Sequence, residues 1–187
     1  MRKVVLLGLA VALGVLGVSA VALADRGHGK GDLKNFSARL DGWEEDPSQV
    51  TTAKGSFRAE VVSPTRIDFT LKYQDLEGPS FMAHIHIGSR HESGGISAWL
   101  CGGTTQPPCP PGPDGEISGT IEAADITGPI GQGVEPGNFA DLIRAIRRGE
   151  TYTNVHTGSA GPPPSGRAPG GEIRGQNRRG HFGDKQG

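Results

Sequence analysis

Apolar and polar residues alternate with a period of two along most of the chain. Phe36, Ala38 and Leu40 form one such run, and Phe57, Ala59 and Val61 another. Ile67, Phe69, Leu71 and Tyr73 form the cleanest, and Phe81, Ala83, Ile85 and Ile87 a fourth. This is the pattern of strands with one buried face. Shorter runs of the same kind lie at 96–101, 116–123, 151–157 and 172–176, and turn residues separate nearly all of them. Such a set of short strands predicts an all-β fold, an antiparallel β-sandwich or barrel, because each one-sided sheet needs a second face. One segment breaks the period. Phe139, Leu142, Ile143 and Ile146 follow a helical stripe, with Asn138 placed to cap it, Asp141 near its positive end and Gly149 to close it. The expected fold therefore carries one short α-helix. Arg144, Arg147 and Arg148 match the helix's negative end and solvent. The stretches 128–137 and 161–171 read as loops.

Composition supports this picture. The 187 residues include 31 Gly and 14 Pro without a Gly-X-Y period, which disfavours both long helices and collagen. The formal net charge of −1 excludes a strongly basic nucleic-acid binder. Arg2 and Lys3 precede an uncharged run from Val4 to Leu23 that ends in Ala22-Leu23-Ala24, the order of a secretory signal peptide over residues 1–24. Left uncleaved, a run of this length, near ~20 residues, would anchor the chain in a membrane. Residues 25–35 read as a flexible leader, 36–176 as the β domain and 177–187 as a flexible tail. The expected location is secreted, periplasmic or cell-envelope.

Export changes the reading of the cysteines. Cys101 and Cys109 are the chain's two cysteines, and in an oxidising compartment they read as a disulfide. The competing two-thiolate metal site would need further ligands and a reducing compartment.

The candidate chemistry lies on the polar side of three strands. If Ala83, Ile85 and Ile87 face the core, His84 and His86 stand side by side on the other face, Cα atoms roughly 6.5–7 Å apart. Inward Val155 turns Asn154 and His156 outward, and inward Ile173 does the same for Glu172 and Arg174. If these strands are neighbours, two readings follow. His84, His86 and His156 hold copper or zinc, with a fourth position for water or Glu172. Alternatively the histidines join Asn154, Glu172 and Arg174 in a polar network that fixes register, and Arg174 would oppose a cation. His91 reads as solvent-facing, and His28 and His181 lie in the tails. Asp41, Glu44, Glu45 and Asp46 around Trp43 read as a solvated turn without the regular spacing of a calcium loop. The nucleophile-elbow, phosphate-loop, dinucleotide and H-E-x-x-H patterns do not occur.

Several blocks resemble the CHRD domain, named for its repeats in chordin. They are FSARLDG at 36–42, TAKG at 52–55, AHIHIG at 83–88, YTNVHT at 152–157 and GGEIRGQ at 170–176. The resemblance implies an extracellular all-β domain and no settled catalytic role. The His-x-His block also looks like the copper-ligand strand of Cu,Zn superoxide dismutases, a Greek-key barrel. The second, zinc-binding set of that family has no counterpart here. These observations point first to a non-enzymatic structural or interaction module, with an extracellular protein or surface component as partner. Copper or zinc binding is the alternative.

Overall fold

The structure, a computed structural model, describes residues 34–103, 105–159 and 165–180. The expected signal peptide, nearly all of the leader and residues 181–187 lie outside the described residues. Nine strands are β1 (Asn35–Asp41), β2 (Lys54–Ser63), β3 (Arg66–Gln74), β4 (Ser80–Ile87), β5 (Ile96–Cys101), β6 (Gly115–Glu122), β7 (Thr151–Ser159), β8 (Ser165–Gln176) and β9 (Arg178–Arg179). One helix, α1, spans Phe139–Arg148. The pairings are antiparallel in the order β5-β4-β7-β8-β1-β2-β3-β6, and β9 lies on β1.

The sheet curls into a nearly closed barrel. Its ends meet where Ala98 of β5 bridges Ile126, just past β6, and the Thr127 N–H donates to the Ser97 carbonyl at 2.9 Å. The connections β3–β4 and β6–β7 join strands that are not neighbours, as in a Greek-key arrangement.

The alternation of β3 carries through to packing: Ile67, Phe69, Leu71 and Tyr73 are all buried. Phe36, Phe57 and Phe69 make an aromatic ladder with centroids 5.7 and 6.2 Å apart. The helical stripe of Phe139, Leu142, Ile143 and Ile146 enters the same core. Each such side chain contributes about 1.5–3 kcal/mol on full burial. The caps form as the sequence predicts. The Asn138 side chain accepts from the Asp141 N–H, and Gly149 adopts φ 77° to end the helix.

Three boundaries differ from expectation. Phe81 is only half-buried, because a register shift between Ser80 and Met82 breaks the alternation of β4 and turns its ring toward His156. The second half of 161–171 is strand, since β8 begins at Ser165 and pairs with the far end of β7. Order also extends past Gln176. Asn177 is fully buried, accepting from the Thr153 hydroxyl at 2.9 Å and donating to Thr151 Oγ1 at 3.2 Å, and Arg178–Arg179 pair with β1.

Cys101 and Cys109 form a disulfide at the end of β5, with a sequence separation of 8. Replacing both with serine is expected to lower unfolding free energy by about 2.5 kcal/mol, the loop-closure value for so short a ring. Urea unfolding of the two proteins checks it. A loss below about 0.5 kcal/mol would mean that the loop is held by its own contacts, such as the Gly102 N–H donating to the Pro107 carbonyl at 2.7 Å.

Candidate metal centre

β4, β7 and β8 are consecutive in the sheet, so their polar sides form one surface. Ala83, Ile85, Val155 and Ile173 face the core. On the opposite face His84 lies across from Asn154 and Asn154 from Arg174, while His86 lies across from Tyr152 and Tyr152 from Gln176. His156 sits one step along β7, across from Met82. The three histidines converge, with ligand nitrogens all within 4.8 Å of one another. His84 is 0% exposed, His86 7% and His156 5%. Among the described residues no other group of histidine, cysteine or carboxylate side chains comes together in this way.

The hydrogen bonds assign protons. His86 Nδ1 lies 2.9 Å from the Gly94 carbonyl, which can only accept, so Nδ1 carries the hydrogen and Nε2 is left as a lone pair. His86 Nε2 and His84 Nε2 are both buried without a hydrogen-bond partner. His84 Nδ1 lies 3.2 Å from His156 Nε2, which also lies 3.2 Å from Asn154 Oδ1. Burial lowers the His84 pKa to about 2, helped by repulsion from the other two histidines. Burial also lowers His86 to about 4, opposed by its bond to Gly94. Both rings are therefore neutral near pH 7, the form that ligates metal.

Aromatic residues close the site. Trp99 meets His84 edge-on at 4.2 Å, and Tyr152 stacks on His86 at 4.8 Å. No signal in the sequence placed Trp99 at the site; the pairing of β5 with β4 sets it across from His84. The segment after β4 is clamped over the histidines: the Gly94 N–H donates to the Tyr152 hydroxyl at 3.1 Å while its carbonyl holds His86. Only glycine fits there, because a Cβ would lie 1.6 Å from the Ile87 carbonyl oxygen.

Arg174 and Glu172 are not ligands. The Arg174 guanidinium lies 3.4 Å over the Tyr152 ring and donates to the Ser89 and Glu92 carbonyls at 2.8 and 2.9 Å. Glu172, which the sequence offered as a fourth ligand, is engaged elsewhere. It accepts from the Thr51 and Thr157 hydroxyls at 2.8 and 2.6 Å and from the Glu77 N–H at 2.9 Å. It joins β8 to the far end of β7 and to two loops rather than to the triad.

The acidic turn divides. Asp41 caps a 3₁₀ turn at Gly42–Glu44, Glu44 pairs with Arg90, and Asp46 accepts from Ser93 at 3.1 Å. Trp43 is 62% exposed and His91 is exposed at φ 62°. Glu45, expected to be solvated, is instead buried beside Asn154 and Gly171. Burial raises its pKa to about 8, against the opposing pull of Arg174 and Asn154.

This makes a stability prediction. A carboxyl whose folded pKa is raised stabilises most below its unfolded value, and the contribution is lost as pH rises from about 4.5 through about 8. Glu45→Gln is expected to match wild type near pH 4.5 and to exceed it above pH 8, by roughly 3–5 kcal/mol. Urea midpoints across that range decide it, and a pH-independent difference would contradict it.

A family model of the CHRD domain matches residues 36–177, most of the chain. The chain belongs to the CHRD family. The domain is a small, extracellular-type interaction module. CHRD domains are typically extracellular, and the disulfide is consistent with secretion. No curated protein matches the chain.

Proposed function

We propose that this CHRD domain is an exported, non-enzymatic binding module whose ligand is a copper or zinc ion held by His84, His86 and His156. One observation carries the reading. Three buried imidazoles converge within 4.8 Å, those of His84 and His86 neutral near pH 7, and the Nε2 atoms of these two have no hydrogen-bond partner. An unsatisfied buried nitrogen costs about 1–3 kcal/mol, so a purely structural network would have paired them. Imidazole suits both metals, and the His86–Gly94 bond supplies the outer-shell orientation that such ligands use. The absence of a fourth protein ligand among the described residues leaves that position to water or a small anion. The reading includes release to the periplasm, envelope or medium, and no turnover is assigned. Titration of metal-free protein with Cu²⁺ or Zn²⁺ tests it. One equivalent is expected for wild type, with Cu²⁺ quenching Trp99 emission, and none for His86→Ala. Equal uptake by both proteins, or none by wild type, would contradict it.

A further inference from the structure

A cleft of about 380 Å³ opens where the end of α1, the segment after β4 and β9 meet. It gathers Arg90, Arg147, Arg148, Arg178 and Arg179, all exposed, with Glu150 the one carboxylate among the described lining residues. Glu150 accepts from the Ser89 hydroxyl at 2.5 Å, and Glu44 beside the cleft is paired with Arg90 and also feels Arg178. Among the described residues the guanidiniums outnumber these two carboxylates. The helix dipole explains only part of this, since its negative end amounts to about half a charge and lies beside Arg147 and Arg148 alone. Arg178 and Arg179 belong to β9 and Arg90 to a loop.

The floor is rigid. Gln176 Nε2 donates to the Gly88 and Gly149 carbonyls at 2.9 and 2.7 Å, tying the three segments together, and its Oε1 is buried without a partner. Asn177 is fully buried beneath them.

We infer that this cleft binds an anionic polysaccharide bearing sulfate or phosphate groups along its length. The planar guanidinium fork matches those oxyanions, and arginines from three segments let a repeating polymer engage several at once. A membrane surface fits less well. Among the described residues, the large exposed apolar ones, Trp43, Val50, Val62 and Ile130, all lie outside the lining, so that lining presents nothing to enter lipid. The inference stands independently of metal binding.

The test is binding of the exported chain to dextran sulfate, with uncharged dextran as comparator. Binding is expected to dextran sulfate alone and to weaken steeply between about 50 and 200 mM salt. R147Q/R148Q/R178Q/R179Q should lose about tenfold or more in affinity. K54Q/R58Q/R66Q/K72Q, the same charge change on β2 and β3, should stay within about twofold. If the first variant fails to fold, R147Q/R148Q on the helix surface should still lose about threefold or more. Equal losses in the two sets, or no binding to dextran sulfate, would overturn the inference. So would arginine-dependent binding to phosphatidylglycerol vesicles alone, which would make the cleft a lipid-headgroup site.

Discussion

Arg174→Ala is expected to lower unfolding free energy by about 3–5 kcal/mol, the largest stability loss of any single change outside the hydrophobic core. Arg174 is 2% exposed and heads the fully buried side chains by volume. Its removal strips the Ser89 and Glu92 carbonyls of a charged donor, worth about 1.5–3 kcal/mol for such bonds. It also uncovers Tyr152, whose stacking with the guanidinium is worth about 1–2 kcal/mol in a desolvated site. A cavity remains beside Glu45, whose pKa should climb further once the Arg174 charge that holds it down is gone. Arg174→Lys keeps a charge but not the planar guanidinium that lies over Tyr152 while its Nη2 donates to both carbonyls, so it should recover only part of the loss. Urea unfolding of the three proteins at one pH reads these differences. A loss below about 1 kcal/mol for Arg174→Ala would show that the clamp on residues 88–95 adds little.

The same clamp links stability to the proposed metal site. Tyr152 lies between Arg174 on one face and His86 on the other, and its hydroxyl holds Gly94. Loosening the clamp therefore frees the His86 ring from its Gly94 partner. Arg174→Ala should weaken metal binding by roughly 10–100-fold, as loss of outer-shell support does elsewhere, without removing a ligand.

Much of the barrel was legible in the sequence, and for identifiable reasons. The β3 run and the stripe from Phe139 to Ile146 carry one period each without interruption, and Asn138 and Gly149 mark the helix ends by cap chemistry. The outward turn of His84, His86 and His156 followed from the same alternation. Their meeting did not, because His84 and His156 are 72 residues apart and only the pairing of β4 with β7 joins them. Glu45 was hidden for a different reason. An acidic residue in a turn reads as solvated, and what buries it is the close approach of β8. Gly171 at φ 128° would place a Cβ 2.5 Å from Glu45 Oε1. Glu172 was assigned to the correct face of its strand, yet its partners Thr51 and Glu77 come from loops that no period predicts. Phe81 failed through a bulge, which shifts the alternation by one place and leaves no mark in composition.

The second large effect concerns the metal itself. Ligation by three histidines supplies binding free energy that belongs wholly to the folded state, since the unfolded chain holds no such cluster. At a free metal concentration near 100 times the dissociation constant, wild type should gain about 2.7 kcal/mol of stability. The variant H84A/H86A/H156A should gain none. Its metal-free stability is a separate matter. Three cavities weaken it, while loss of the two unpartnered His84 and His86 nitrogens offsets part of that.

Metal content after purification from the native compartment, without an affinity tag, decides whether the three histidines hold an ion. About one equivalent of copper or zinc per chain is expected, absent from H84A/H86A/H156A that retains the wild-type circular dichroism spectrum. Wild-type protein that carries no metal and takes none up on titration near pH 7 would contradict it, and the triad would then be a structural element of the barrel wall.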